Sequence, residues 1–187
     1  MRAFKTEGII LKRRDFGEAD RILTVFTFHR GKVTVLARGV RRITSRRAGN
    51  VELLNRVQMF LHPGRQFLIL TEATSLDTYQ KLKEDLTLST YAYHIIELVD
   101  KLTAENQENP ILYIHLVEVL KRLSQNPRQI LVRAFEVKIL NNLGFISFKV
   151  EGVNLIHLEG VLGSYLPNLG KLLEDLEEKS WDEVEKM

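Results

Sequence analysis

The spacing of apolar side chains changes near Asp77-Thr78, and that change divides the chain into a β part and an α part. Successive side chains alternate across a strand but recur every three to four residues along a helix, so one stretch cannot satisfy both periods. Before the change, five short runs rich in branched and aromatic residues read as strands: 7–12, 21–28, 33–37, 54–61 and 67–72. His29-Arg30-Gly31-Lys32 and Pro63-Gly64 read as tight turns between them. Five short strands in so little chain predict a small barrel or sandwich, and a basic five-stranded barrel fits the profile of an OB-fold. An SH3-like barrel is the nearest competitor.

After the change, Ala92, Ile95, Ile96, Val99 and Leu102 fall at helical spacing, as do Leu112, Leu116, Val119, Leu120 and Leu123. Asn109-Pro110 and Asn126-Pro127 each look like an N-cap followed by proline at the first helical position. The stretch 130–143 is apolar on nearly every face, which predicts a central, buried helix with Gly144 at its C-cap. The period is lost over 145–163, and 169–184 reads as a last, acidic amphipathic helix. The fold class is therefore α+β, with an OB-fold domain over 1–77 and an all-α domain over 78–187. No repeat or low-complexity tract interrupts this pattern.

Charge follows the same division. Residues 1–66 carry 15 Lys or Arg against 5 Asp or Glu, a net of +10, whereas residues 67–187 carry 12 against 19, a net of −7. Solubility needs mixed signs rather than a block of one, so a +10 segment points to a polyanionic partner. Most of these cations are arginine, whose planar fork matches phosphate. A membrane surface would call for a basic amphipathic helix, and the basic clusters lie instead in strand-like, glycine-punctuated sequence.

Enzyme chemistry finds no foothold in the residue patterns. There is no GxxxxGK[ST], GxSxG or HExxH, and no pair among His29, His62, His94, His115 and His157 has the three- or four-residue spacing of a helical metal pair. Cysteine is absent, which removes thiol nucleophiles and thiolate metal sites and fits a reducing compartment. No apolar run approaches the ~20 residues that span a bilayer, and Met1 to Thr6 lacks the basic start of a secretory signal, so a cytoplasmic protein without a cofactor is expected.

Nucleic-acid binding has the parts it requires. Lys12, Arg13 and Arg14 form one cationic group, and Arg38, Arg41, Arg42, Arg46 and Arg47 a second. Such side chains neutralise phosphates and release counterions, giving affinity that ignores base sequence and falls with salt. Arg21, Lys32, Arg56 and Arg65 are secondary candidates, and Arg21 has acidic neighbours in Asp15, Glu18 and Asp20. Phe16, in a glycine-containing turn, is the best placed of three aromatic residues to stack on an unpaired base, ahead of Phe28 and Phe67. In an OB-fold the loops after strands one and four, here 13–20 and 62–66, flank the binding face. Two other classes share these features: an RNA-binding OB-fold module of translation or ribosome assembly, and a scaffold whose basic face meets an acidic protein.

One family carries this pattern. The segment from Gly8 through Asp15-Phe16-Gly17-Glu18-Ala19-Asp20-Arg21 to Phe26, then Gly31-Lys32 and Ala37-Arg38-Gly39-Val40-Arg41-Arg42, resembles the opening of the bacterial recombination mediator RecO. Val132-Arg133-Ala134-Phe135-Glu136 and Leu140-Asn141-Asn142-Leu143-Gly144-Phe145 resemble the central helix of its second domain. The resemblance is dense over 1–75 and extends to about 145. It implies an N-terminal OB-fold followed by a helical C-terminal domain, in a protein that binds single- and double-stranded DNA and anneals complementary strands. It also implies partners: RecR, the acidic-hydrophobic tail of single-strand-binding protein at the helical domain, and, indirectly, RecA. Turnover catalysis is not part of the family's activity. Many members carry a four-cysteine zinc module after the Leu-Gly-Phe of that helix; here 145–163 holds no cysteine, so zinc is not expected. Arg122, Arg128 and Arg133 are the basic residues available to a tail-binding pocket.

Overall fold

The structure, a computed structural model, describes residues 2–145; the predicted aperiodic stretch after Phe145 and the acidic helix over 169–184 lie outside the described residues. Strands β1 (Phe4–Phe16), β2 (Asp20–Thr27), β3 (Gly31–Ala37), β4 (Arg56–Pro63) and β5 (Leu68–Asp77) close into a barrel in the order β1-β2-β3-β5-β4. Every neighbouring pair is antiparallel except β3 with β5. This is the expected OB-fold. Closure depends on the length of β1, whose first half pairs with β4 and whose second half pairs with β2. At the changeover, Gly8 faces both Thr27 and Val57. A Cβ on Gly8 would lie 2.6 Å from Val25 and 2.9 Å from the Phe26 carbonyl, so only glycine permits the crossing.

Helices α1 (Gln80–Glu84), α2 (Leu86–Leu102), α3 (Pro110–Gln125) and α4 (Gln129–Asn142) follow. The Asn109 side chain accepts from the Leu112 amide at 3.0 Å, with Pro110 in the first turn, as the dipeptide predicts. The second Asn-Pro pair behaves otherwise. Asn126 is the C-cap of α3, its amide donating to the Arg122 carbonyl at 2.8 Å, and α4 begins only after Arg128. Proline here marks where one helix cannot continue rather than where the next starts. Gly144, at φ +79, ends α4: its amide donates to Asn141 and that of Phe145 to Leu140, a Schellman arrangement.

β1 joins the two halves. Ile10 points into the barrel with Leu23, Val25, Val35 and Met59, whereas Ile9 and Leu11 point outward and join Phe26 and Leu54 in one cluster with α2, α3 and α4. A strand covered on both faces reads as a continuous apolar run, which is why Gly-Ile-Ile-Leu does not alternate. Phe26 and Phe28 meet Tyr113 of α3 at centroid distances of 6.3 and 5.6 Å. Eight of the 14 residues of α4 are buried, so it is the central helix its sequence predicts. One of the eight is Glu136, whose carboxylate receives His94 at 2.6 Å and Arg133 at 3.0 Å. A buried carboxylate without those partners would be costly.

Polar contacts tie the halves as well. Lys32 on β3 is buried, and its ammonium donates to the backbone carbonyl of Asp100 on α2. Its own carbonyl accepts from the Asn106 amide at 2.8 Å. At Gly31, with φ +60, an added Cβ would overlap the Gln107 carbonyl.

Phe26→Ala is expected to cost about 3–5 kcal/mol. Because Phe26 belongs to the cluster shared by barrel and helices, far-ultraviolet and near-ultraviolet circular dichroism should report one transition, shifted as a unit. Helices melting independently of the barrel would show that the shared core does not couple them.

Candidate nucleic-acid interface

Three connections meet at one rim of the barrel. The first is the β1–β2 turn, which is tighter than its sequence suggests. β1 runs on to Phe16, so Arg13 and Arg14 sit on a paired strand opposite Leu23 and Ile22 instead of in a loop, and only residues 17–19 turn. Turn residues that tolerate positive φ, here Gly17 at +59, allow the arm to extend that far. The second connection is the long one after β3, from Arg38 to Ala48. The third is the β4–β5 turn, closed by the Gly64 amide donating to the Phe67 carbonyl at 3.1 Å. Phe16 and Phe67 meet edge to face with centroids 6.5 Å apart, joining the first connection to the third.

The long loop is held by its own basic residues. Asp20 accepts from the Gly39 amide at 2.7 Å. Arg41 donates to the carbonyls of Gly17 and Glu18 at 3.3 and 3.2 Å and pairs with Asp15 at 3.3 Å. Arg47 donates to the carbonyls of Leu70 and Arg38 at 2.9 and 2.8 Å. Two of the five clustered arginines thus shape the loop that presents the other three.

The twelve cationic sequence candidates separate by their partners. Arg14, Arg38, Arg42, Arg46 and Arg65 are exposed, and their side chains meet no counter-charge among the described residues. Lys12, Arg13, Arg21 and Arg41 are accessible but paired. Lys12 pairs with Asp100, Arg13 with Glu52, and Arg21 with both Asp15 and Glu52 at 3.2 Å. Lys32, Arg47 and Arg56 are committed to the fold. Arg56 donates twice to Glu7, at 2.9 and 3.1 Å. Burial is the largest single influence and works against the Arg56 charge, but the Glu7 carboxylate and the Tyr113 hydroxyl together outweigh it and hold the guanidinium above its ordinary pKa. The nearby Tyr113 hydroxyl is pushed well above the phenol range, chiefly by burial and then by Glu7.

Phe16 is 45% exposed on the rim. Phe67 is half-buried beneath it, and Phe28 belongs to the shared core, edge to face with Tyr113. Glu52 was not singled out by sequence. Its signal was isolation, since it is the only acidic residue between Asp20 and Glu72. Among local acids, only Asp15 of the three neighbours of Arg21 reaches it.

The helical half has a second feature, a depression between α3 and α4. Val119, Leu131 and Phe135 give it an apolar floor, and Arg122 and Lys138 lie at its edge. The Arg122 hydrogen bond, at 2.6 Å, holds the Glu118 carboxyl below its usual range. The buried Nδ1 of His115 has no hydrogen-bond partner among the described residues, and burial, aided by the Lys138 charge, depresses its pKa. Arg133 does not line this depression; it is bound to Glu136. Arg128 is exposed ahead of α4. Among the described residues no three His, Asp or Glu side chains gather as a metal site, and no helix is long and apolar enough to cross a membrane.

Comparison with known proteins matches both halves to one family. Residues 1–79 match the model for the N-terminal part of recombination protein O, and residues 83–146 that for its C-terminal part. The DNA repair protein RecO of Pelotomaculum thermopropionicum is 35% identical over 145 residues, covering 78% of this chain and 57% of that protein. RecO of Roseiflexus is 38% identical over 145 residues, 77% of this chain and 51% of the relative. The chain thus matches little more than half the length of these curated relatives.

Two substitutions test the electrostatics. Glu52→Gln releases Arg13 and one contact of Arg21, and, where those arginines contact phosphate, should raise affinity for a single-stranded oligonucleotide by up to about fivefold, the worth of an exposed ion pair. Unchanged affinity in an anisotropy titration would exclude both arginines from phosphate contact. Burial disfavours the charged form of His115 in the folded state, so unfolding takes up a proton as pH falls from the ordinary imidazole range toward the depressed native pKa. Stability should fall across that window, and His115→Gln should flatten the decline in urea unfolding curves.

Proposed function

The chain belongs to the RecO family, and on that premise we propose that it is a recombination mediator in DNA repair. It binds single- and double-stranded DNA through the phosphate backbone, anneals complementary strands and, with RecR, helps load RecA onto DNA coated with single-strand-binding protein. The observation that carries the reading is the barrel rim, where three connections converge bearing Arg38, Arg42, Arg46 and Arg65, which meet no counter-charge among the described residues, with Arg14 and Phe16 on the adjoining arm. Arginines in this arrangement contact phosphates and carry no base-reading geometry. Phe16 offers a ring face to an unpaired base.

Annealing follows from charge screening. Two strands repel through their phosphates, and a cationic rim lowers that repulsion while leaving the base edges free to pair. No bond is made or broken by the protein, so the activity needs neither a catalytic residue nor a cofactor. The reading places the protein in the cytoplasm, at the nucleoid when acting on DNA. The α3–α4 depression, apolar below and cationic at its edge, suits an acidic-hydrophobic peptide, and the tail of single-strand-binding protein is the proposed occupant.

Five phosphate contacts predict a slope of about −3.5 for the logarithm of affinity against that of salt on single strands. Arg38→Ala, Arg42→Ala and Arg46→Ala together should flatten it by about 2 and weaken binding to every sequence alike. Fluorescence anisotropy with matched DNA and RNA oligonucleotides at several salt concentrations reads both quantities. No DNA binding at low salt, or consistently tighter RNA binding, would overturn the proposal.

A further inference from the structure

The loop after β3 holds one residue that neither the barrel nor the charge pattern explains. Ile43 lies at its outer end with a relative exposure of 104%, the most exposed of the large apolar side chains described. Isolated surface apolar residues are common, but this one stands on a loop that is anchored on both sides. Arg41 is bonded to the β1–β2 turn just before it, and Arg47 to β5 just after it. Arg42 and Arg46 flank it, exposed and without partners among the described residues. An apolar group held out on a firm support between two exposed cations meets few partners well. The core of a protein docking site is depleted of charge, and one isoleucine is too little apolar area to anchor one. A nucleic acid offers both complements at once, phosphates for the arginines and base faces for the side chain.

We propose that Ile43 is an apolar wedge that enters the base stack at the open end of a duplex, where single and double strands meet, while Arg42 and Arg46 hold the phosphates on either side. Branched apolar side chains unstack base steps in this way in proteins that deform DNA. A junction is the favoured place because a base already lacking a neighbour costs least to displace. The proposal rests on the DNA-binding reading above and adds an action on bases to one that otherwise concerns phosphates alone. It separates two properties of the same rim, since affinity comes from the arginines and base unstacking from Ile43. Such a wedge holds the end of a growing duplex open to the incoming strand, and Phe16, at the end of β1, is available to receive a displaced base.

The test uses the full chain and a partial duplex carrying 2-aminopurine at the first paired position beside the single-strand junction. Anisotropy of the same DNA is followed in parallel. The wild-type protein should raise 2-aminopurine fluorescence on binding, and Ile43→Ser should abolish the rise while leaving affinity within about twofold and the salt slope unchanged. Ile43→Leu, which keeps an apolar tip, should retain it. Binding without any fluorescence change in the wild type, or a rise that survives in Ile43→Ser, overturns the wedge and leaves the DNA-binding reading intact. Loss of RecR binding by Ile43→Ser with an undiminished fluorescence rise would likewise overturn it, marking the tip as a protein contact. Absence of anisotropy change at low salt would instead sink the DNA-binding reading itself.

Discussion

β1 is the strand on which everything else depends, because it is buried on both faces. Ile10 helps fill the barrel while Ile9 and Leu11, one residue to either side, build the cluster shared with the helices. The two cores therefore cannot be disturbed separately at this point, since alternation ties adjacent residues to opposite sides. Gly8 allows β1 to pass from β4 to β2 within a few residues, and the register shift between Ile10 and Lys12 bends the strand as it does so. The rest of the barrel closes around that bend.

Past the bend, the same strand leaves the core and becomes the arm that carries Arg13, Arg14 and Phe16 to the rim. One continuous element thus converts hydrophobic burial at its centre into a fixed position for charged groups at its end. The loop after β3 is positioned on this arm in turn, through Asp20, Arg41 and the carbonyls of the β1–β2 turn. Arginine has two roles here. Where carbonyls and carboxylates converge, it serves as a multi-pronged strut; where none are in reach, it remains a free cation. Asp15 and Glu52 neutralise part of the arm, so the accessible positive charge is concentrated on fewer residues than the +10 of this segment implies.

The barrel strands and the central helix were legible because their periods are long-lived and their punctuation is strong. Pro110 after Asn109 and Gly144 after α4 carry local mechanisms, and both act as such. Asn126-Pro127 misleads because the same dipeptide chemistry serves a helix end as well as a helix start, and only the turns on either side decide which. The extension of β1 through Arg13 and Arg14 was hidden because charged residues on an exposed hairpin arm have no apolar rhythm to report. Glu52 lies 31 residues from Arg21 and 39 from Arg13, and no local pattern announces such a pairing.

By itself the sequence determined the two-part architecture, the concentration of cationic charge in the first part and the family to which the chain belongs. Those properties are sums and periodicities, carried by residues wherever they end up in space. Only the tertiary structure decided which cations are available. Lys32 is buried against Asp100, Arg47 and Arg56 are struts, and Arg38, Arg42, Arg46 and Arg65 are left without counter-charges among the described residues. Availability depends on which acids and carbonyls the fold brings within about 3 Å, and that is a property of closure of the barrel, not of position along the chain.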